Sequence, residues 1–320
     1  MKKGSKPTAD LKIPANLELV DDGVRLVSLT FGLSLYTDVL FSSVPDAVLG
    51  CFEKFLGLCP ADQLKFYVTE NMDQHKPVTN RTMGMLKTWL KPGAPPREYI
   101  ALELKDGDDF YWAPKCKFEV WGNEDGSSGY ETQDANLVSM AFPPQWGLER
   151  ADEMLEFVRD LCAIFPFRSG HAGFCFECSS YEEEQSQTFA WKRSMRHRGI
   201  DIFDVANDTV AVGHDGVKGV NWLTILSDPF VKRLGGQKQM RESLSEEIEI
   251  LPSSGGVIIK CGPQPRFGDT NRRDFLPDYK EVYALASPLI EVAIKRYPSL
   301  TLEGDDYEAK TIAWLRRFEL

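Results

Sequence analysis

The stretch of sequence that decides the fold is Gly216–Asp269. It begins GVKGVNWLTILSDPFVKRLGG and, after a short amphipathic segment, ends GGVIIKCGPQPRFGD. Ser227 followed by Asp-Pro is typical of a helix start, because Ser caps free N–H groups and Pro fits the first turn. The glycine pair that starts at Gly235 follows an apolar helical turn, where a left-handed C-cap favours glycine. The stretch therefore predicts a short helix, followed by a strand over Val257–Cys261 that Gly262 and the next proline end.

Trp222 belongs to the predicted core, because an aromatic side chain of this size buries a large apolar area. The stretch contains no acid–base pair, no metal-binding box and no phosphate-binding loop. We therefore interpret it as the signature of a fold, and we expect the surface that contacts a partner to lie elsewhere.

Several residues of this stretch stand in a distinctive order. They are Gly219, Val220, Asn221, Trp222, Leu223, Thr224, Leu226, Leu234, Gly235, Gly236, Gly255, Gly256, Val257, Ile258, Ile259, Gly262, Pro265, Gly268 and Asp269. This order resembles the TsiV-type immunity proteins of type VI secretion systems. The resemblance is best over residues 210–290 and extends more weakly upstream to Gly170–Gly173. It implies a stoichiometric inhibitor that binds a toxic effector and protects its producer, and it brings no shared catalytic motif.

Outside this stretch, the hydrophobic pattern predicts alternating runs of strands and helices. Apolar residues alternate with small or polar ones over Val27–Leu35, which indicates a strand with one buried face. Apolar residues at helical spacing predict helices over residues 45–60 and 151–165. A meander of three strands is predicted at Tyr99–Leu104, Lys117–Trp121 and Asn136–Phe142. The sequence therefore predicts an α+β fold, with mixed, largely antiparallel sheets packed with amphipathic helices.

The length of 320 residues allows one large domain or two. We expect a flexible N-terminus over residues 1–15 and a single immunity-protein domain over residues 16–320. That domain is predicted to have two similar lobes, residues 16–168 and 169–320. Later predicted elements are a short helix at Thr79–Leu90, helices at Glu183–His197, Tyr279–Ser287 and Tyr307–Phe318, and a short strand at Leu300–Leu302.

The seven cysteines argue against a disulfide framework, because their number is odd and the chain is not small. His171 with Cys175 or Cys178 offers an alternative function, an enzyme with a His/Cys nucleophile site of unknown substrate. No third, orienting group is recognisable, and no Cys/His pairs have the spacing of zinc ligands. The sequence therefore predicts a protein that is not an enzyme, with no metal and no cofactor.

The charge of the chain indicates the class of its partner. Asp and Glu outnumber Lys and Arg by 48 to 37, which gives a net charge of −11. Such an acidic chain is a poor direct partner for nucleic acid and a good one for a basic protein. The basic run Lys192–Arg198 is interpreted as a solvated or salt-bridged helix face. No secretory signal and no apolar run long enough for a bilayer is visible, so we expect a cytoplasmic protein without a membrane partner.

An immunity protein must lie where its toxin acts, so we expect a cognate effector that acts in the cytosol. Nucleases carry basic surfaces for phosphate contact. We therefore hypothesise a basic nuclease effector as the partner, and the oligomeric state is left open.

Two acidic segments are the candidate contact sites for this partner. The first follows Glu103, and its candidate residues are Asp106, Asp108, Asp109, Tyr111 and Trp112. The second is the triplet Glu182, Glu183 and Glu184, which starts a predicted helix, where carboxylates also suit the helix dipole. Tyr and Trp are enriched at binding hot spots, and carboxylates pair with Lys or Arg. The alternative for the first segment is a strand that begins with Phe110 and Trp112 turned inward.

Overall fold

A computed structural model describes residues 12–124 and 134–320. The strands are β1 (Leu19–Asp21), β2 (Val24–Thr37), β3 (Phe66–Thr69), β4 (Lys76–Pro77), β5 (Tyr99–Lys105), β6 (Lys117–Asn123), β7 (Asn136–Phe142), β8 (Ser169–Cys178), β9 (Asp201–Ile202), β10 (Leu223–Ser227), β11 (Ile248–Ser253) and β12 (Gly256–Cys261). The helices are α1 (Pro45–Leu58), α2 (Asn80–Met83), α3 (Met85–Trp89), α4 (Gln145–Glu149), α5 (Ala151–Ile164), α6 (Glu183–Arg196), α7 (Val205–Val212), α8 (Asp228–Arg233), α9 (Gly236–Ser243), α10 (Pro277–Arg296) and α11 (Tyr307–Leu315).

The strands of the described residues form one sheet in the order β11-β12-β10-β8-β2-β7-β6-β5-β3-β4, with β1 on β2 and β9 on β8. The pairs are antiparallel except β8 with β9, which is parallel. The predicted α+β class and the predicted meander β5–β6–β7 are therefore confirmed. The strands of the two halves of the chain meet along β2 and β8, which pair in register from Val27 with Cys178 to Tyr36 with Ser169. The division into two lobes stays a prediction, and most of the segment predicted to be flexible, residues 1–15, lies outside the described residues.

Both faces of β2 are buried, whereas the alternation in the sequence predicted one. Phe31 and Leu33 pack into the apolar core, and Ser28, Thr30 and Ser34 on the opposite face are also buried. The reason is that β2 lies in the middle of the sheet, with α6 packed against it. The hydroxyl of Ser28 donates to Ala113 O and that of Thr30 to Cys175 O, so these polar groups are satisfied inside the protein.

The stretch Gly216–Asp269 builds the scaffold that its sequence predicts. Trp222 is fully buried, and its indole Nε1 donates to Gly262 O at 3.1 Å. Helix α8 begins after Ser227 as predicted, but the Ser227 hydroxyl forms no capping hydrogen bond. Gly235 after the helix is left-handed with φ of +91°. Asn221 donates from Nδ2 to Phe174 O at 3.1 Å, which ties this stretch to β8.

Three of the predicted elements differ from the structure. Helix α10 continues past Ser287, where the sequence placed its end before Pro288. A proline leaves the carbonyl four residues earlier without its N–H partner, and the hydroxyl of Ser287 donates to that carbonyl, Ala284 O, at 3.0 Å. The single helix predicted at Thr79–Leu90 is two helices, α2 and α3, divided at Gly84.

The segment Leu300–Leu302 is not a strand, because its backbone is hydrogen-bonded to side chains. Leu300 N donates to Thr311 Oγ1, and Thr301 N donates to Gln187 Oε1 at 2.7 Å.

As for the helices, none in the described part of the chain combines the length and the apolar character needed to cross a membrane.

One pair of cysteines is joined in the structure, although the number of cysteines argued against a disulfide framework. Cys59 and Cys116 form a disulfide that joins the end of α1 to the segment before β6. These residues are 57 positions apart in the sequence, and the spacing of cysteines gives no information about such a pairing. Cys51, Cys162, Cys175 and Cys261 are free and buried, where a thiol acts as a small apolar group.

Candidate partner-binding site

Charged side chains meet on the polar face of the sheet, where β5, β6 and β8 contribute to it. Nζ of Lys117 lies 2.7 Å from Oε2 of Glu177 and 3.1 Å from Oε2 of Glu119. Two strands separate Lys117 from β8, and the residues aligned with it on those strands are Ala141 and Gly32. The residue of β8 in the same row is Gly173, so the side chain of Lys117 reaches along the sheet to Glu177 rather than straight across it. The three charged residues are 3–5% exposed, so they form an ion cluster inside the protein.

This cluster lines a cleft of about 210 Å³. Helix α6 and the loop before it contribute Ser179, Ser180, Glu183 and Gln187 to the lining, and Phe203 and Asp204 lie before α7. His75 lines the cleft next to β4 and lies 2.8 Å from Oε1 of Glu103. The carboxylates of the lining are Glu103, Glu119, Glu177, Glu183 and Asp204, and its lysines are Lys105 and Lys117. The lining therefore has an excess of negative charge.

Burial and neighbouring charges separate the pKa values of these groups. Burial raises the pKa of Glu119 to about 7, although Lys117 acts in the opposite direction. Burial also favours the neutral form of Glu103, but the hydrogen bond from His75 and the positive charges of Lys105, His75 and Lys117 together outweigh it and lower the pKa of that carboxyl to about 2. Burial lowers the pKa of Lys117, but the negative charges of Glu177 and Glu119 have the larger combined effect and raise this pKa above its ordinary value. Lys117 is therefore charged at neutral pH, whereas Glu119 is close to half protonated.

The first predicted contact segment, residues 106–112, is a loop between β5 and β6 rather than an inward-turned strand. Asp106 acts within the loop, because its Oδ1 accepts the backbone N–H groups of Lys115 and Cys116 at 2.8 and 3.0 Å. Asp108 and Asp109 are exposed. Trp112 is half-buried, with the guanidinium of Arg25 4.9 Å from its ring centre. The two exposed aspartates are thus the charges that this loop presents to solvent.

The structure brings this loop next to the second predicted segment. The ring centres of Tyr111 and Tyr181 are 4.5 Å apart, and Ser179 Oγ donates to Tyr111 O. Tyr181 is 57% exposed, so the pair of rings reaches the surface. We call residues 106–112 and 179–184 together the acidic–aromatic surface.

The glutamate triplet lies at the start of α6 and is exposed. Glu182 holds the N-cap position of the helix. Glu183 points to the charged cleft and accepts hydrogen bonds from Gln187 and Thr301 at 3.0 and 3.1 Å. Glu184 lies beside the segment 299–307 instead. The triplet therefore divides between the cleft and the neighbouring surface, and its contact with a partner stays a prediction.

Sequence reasoning selected Glu183 of the cleft lining but missed the buried charged residues beside it. Lys105, Lys117, Glu119 and Glu177 each alternate with apolar neighbours in their strands. Charges at alternate positions on several strands are a signal for a polar layer on one face of a sheet. The sequence does not indicate that Lys117 and Glu177 pair with each other, because they are 60 positions apart.

A second buried cluster surrounds His171, the residue on which the alternative of an enzyme depends. Nε2 of His171 lies 3.2 Å from Oδ2 of Asp201, an orienting carboxylate that the sequence did not reveal. The same carboxylate contacts Lys218 at 2.9 Å and Arg317 at 3.4 Å, so it is part of an ion network. Burial raises the pKa of the Cys175 thiol well above its ordinary value, and a buried protonated thiol is a poor nucleophile. The arrangement gives no support to a His/Cys enzyme.

The basic run of α6 is engaged within the protein, as the sequence indicated. Arg196 binds Asp269 through Nε and Nη2 at 3.0 and 2.9 Å. Arg198 donates to Leu320 O at 2.6 Å, and Lys192 lies 3.6 Å from Glu303. The interpretation of a salt-bridged helix face is confirmed.

Comparisons with known proteins agree with this fold. The solved structure of the type VI secretion system protein PA0821 of Pseudomonas aeruginosa superimposes with a TM-score of 0.78 at 19% sequence identity, over 95% of this chain and 87% of that chain. The sequence matches no curated protein. The family described as TsiV, type VI immunity for VRR-NUC, matches residues 47–318. The resemblance stated from the sequence is thus confirmed, and the chain belongs to the TsiV family of type VI immunity proteins.

Proposed function

We propose that this protein binds a cognate VRR-NUC effector and blocks it stoichiometrically through the acidic–aromatic surface. The family supplies the class of partner, since its members are described as type VI immunity for VRR-NUC. The observation that carries the choice of surface is the contact of Tyr111 with Tyr181, which joins the two acidic segments into one. Exposed aspartates and glutamates on either side of the two rings complete it.

The chemistry of this surface fits a nuclease. A nuclease holds the phosphates of its substrate with Lys and Arg side chains. Asp108, Asp109 and Glu182 offer carboxylates to such side chains, and the exposed Tyr181 offers an amphipathic ring of the kind enriched at hot spots. The partner is therefore a protein with a basic surface. We place the complex in the cytoplasm of the producing cell, where such a nuclease reaches nucleic acid.

We also propose that the protein performs no chemistry on the effector. Purified immunity protein is titrated into purified effector, and nuclease activity is followed together with the mass of the complex. Inhibition should be complete at one equivalent and accompanied by a complex that survives size-exclusion chromatography. The Cys175→Ala variant should inhibit equally. Complete inhibition by a small fraction of one equivalent, lost in Cys175→Ala, would contradict the proposal and favour an enzyme.

In cells, co-expression tests the same proposal. The effector encoded beside this gene should stop growth alone and permit growth when this protein is co-expressed. Absence of both rescue and binding would remove the proposed function.

A further inference from the structure

The charged cleft contains ionised groups that folding alone does not require. Lys117, Glu119 and Glu177 are 3%, 5% and 4% exposed. Transferring such charges out of water is unfavourable, and apolar residues of similar size often give equal or greater stability. Clusters of this kind, with perturbed titration and a cavity beside them, are concentrated at functional sites. The cleft is therefore a candidate binding site in its own right, beside the acidic–aromatic surface.

The carboxylates of the cleft have acceptor atoms left over. Oε1 of Glu119, Oε1 of Glu177 and Oε2 of Glu103 accept no hydrogen bond from the described residues. Their other oxygens face Lys117 or His75. None of these three oxygens is fully buried, so each is open to the cleft and free to accept from a ligand. Oε2 of Glu119 is different, because it is buried and accepts no hydrogen bond although it lies 3.1 Å from Nζ of Lys117, and such an unsatisfied acceptor is unfavourable.

The charge balance and size of the cleft define this ligand as a cation with several donors. Five carboxylates face two lysines in the lining, and the volume is about 210 Å³. The share of one water molecule is about 30 Å³, so a guanidinium group can enter. Arginine has five N–H donors in a planar fork that matches carboxylates, whereas lysine is a compact point charge. Among residues 12–124 and 134–320 no group of acidic, His or Cys side chains is arranged to hold a metal ion.

We propose that this cleft receives an arginine side chain of the nuclease partner. Its guanidinium donates to the unused oxygens of Glu119, Glu177 and Glu103. Ser180 and Glu183 lie where the chain that carries this arginine enters. The inference rests on the proposed function, and it adds a buried anchor to the contacts of the acidic–aromatic surface.

The test measures the affinity of a catalytically inactive effector for the full-length protein and three variants at pH 8, where Glu119 is ionised. Glu119→Gln removes a charge from the cleft, and Val205→Trp fills the cleft from a half-buried lining position outside the acidic–aromatic surface. Glu249→Gln is the matched control. Glu249 pairs with Lys260 at 2.7 Å, and these residues lie on β11 and β12 at the edge of the sheet away from the cleft. We expect each cleft variant to bind at least about tenfold more weakly and the control to bind as the wild type does. If Glu119→Gln fails to fold by circular dichroism, Val205→Trp decides, because Val205 lines the cleft but lies outside residues 106–112 and 179–184.

A double-mutant cycle identifies the arginine. Each arginine of the effector is changed to Ala, and one of them should couple to Glu119→Gln by about tenfold, which corresponds to about 1.4 kcal/mol. Wild-type affinity in both cleft variants would overturn the inference. If those variants bind normally while charge reversal at Asp108 and Asp109 weakens binding, the cleft is wrong and the proposed function stands. An effector that does not bind the wild type overturns both.

Discussion

Lys117 and Glu177 form an ion pair across two intervening strands, with 2.7 Å between Nζ and Oε2. The pair unites the two halves of the sheet, because Lys117 lies on β6 and Glu177 on β8. Glu119 is also within 3.1 Å of the same Nζ. One cation thus lies within 3.1 Å of two buried carboxylates, so its removal affects more than a single pair.

Lys117→Met should therefore destabilise the protein strongly. The substitution leaves two carboxylates buried without their cation, a change expected to lower the free energy of unfolding by about 3–5 kcal/mol. Lys260→Met is the control, since the partner of Lys260, Glu249, is half exposed, and should lose about 1 kcal/mol or less. Urea denaturation at pH 7.5 measures both. Equal losses in the two variants would contradict the account of the cluster.

The raised pKa of Glu119 predicts the sign of a pH effect on stability. A carboxyl with a pKa of about 7 in the folded state binds protons that the unfolded chain has released, so its contribution is present at acid pH and is lost as pH rises through about 7. Glu119→Gln removes this dependence. As the pH rises from about 4.5 to 7.5, the free energy of unfolding of the variant should increase relative to that of the wild type by up to about 3 kcal/mol.

Comparing the variant with the wild type isolates this group from its neighbours. The titratable and charged groups that line the same cleft are His75, Glu103, Lys105, Lys117, Glu177, Cys178, Glu183 and Asp204. Glu103 acts in the opposite sense, because its pKa is lowered to about 2 and its stabilisation is lost only at strongly acid pH. A difference between the two proteins that stays constant from pH 4.5 to 7.5 would show that Glu119 is ionised throughout.

A close approach at Gly173 predicts the effect of one methyl group. A Cβ there would lie 1.9 Å from Oδ1 of Asn221, whose side chain also holds Phe174 O and the N–H of Trp222. Gly173→Ala should cost about 3 kcal/mol or more, because it displaces these hydrogen bonds. Gly219→Ala is the control, since a Cβ at that position meets no heavy atom within 4 Å, and its effect should be about 1 kcal/mol or less. Similar melting temperatures for the two variants would contradict this explanation.

Local chemistry explains which parts of the fold are predictable from the sequence. Trp222 and Gly235 are readable because each obeys a rule that involves only near neighbours. The helix start after Ser227 is readable from the proline in its first turn, although the Ser227 hydroxyl forms no capping hydrogen bond. The passage of α10 through Pro288 is not readable in this way, because Ser287 supplies the missing donor to Ala284 O. A rule that ends a helix before proline does not consider whether a neighbouring side chain can donate the missing hydrogen bond.

The candidate site is predictable only in part, for a related reason. Acidic composition directs attention to residues 106–112 and 182–184, which are exposed or half-buried in the structure. Their proximity depends on Tyr111 meeting Tyr181, a contact between residues far apart in the chain. The cleft depends on the order of the strands, which brings Glu177 of β8 within reach of Lys117 of β6 although β7 and β2 lie between these strands. The contact of Tyr111 with Tyr181 and the cleft both depend on how distant segments pair in the fold. The spacing of residues along the chain gives no information about this pairing.

If charge steers the partner to the acidic–aromatic surface, association with the effector should slow as salt rises. Screening acts on exposed charges over about 10 Å at 0.1 M salt. We expect the association rate constant to fall by about tenfold or more between about 50 and 500 mM NaCl, with a smaller change in dissociation. Stopped-flow measurement with inactive effector gives both rates. An association rate that does not depend on salt would count against electrostatic steering.

The central claim is that the acidic–aromatic surface binds the effector, and a double charge reversal tests it most directly. Asp108→Lys with Asp109→Lys changes two exposed residues, so folding should be intact by circular dichroism. Glu246→Lys with Glu247→Lys is the matched control, because these adjacent exposed glutamates lie beside β11 at the opposite edge of the sheet and give the same change in net charge. The measurement is the dissociation constant for the inactive effector. The account predicts at least about tenfold weaker binding for the first variant and little change for the control; a folded first variant with unchanged affinity that still neutralises the effector would contradict it.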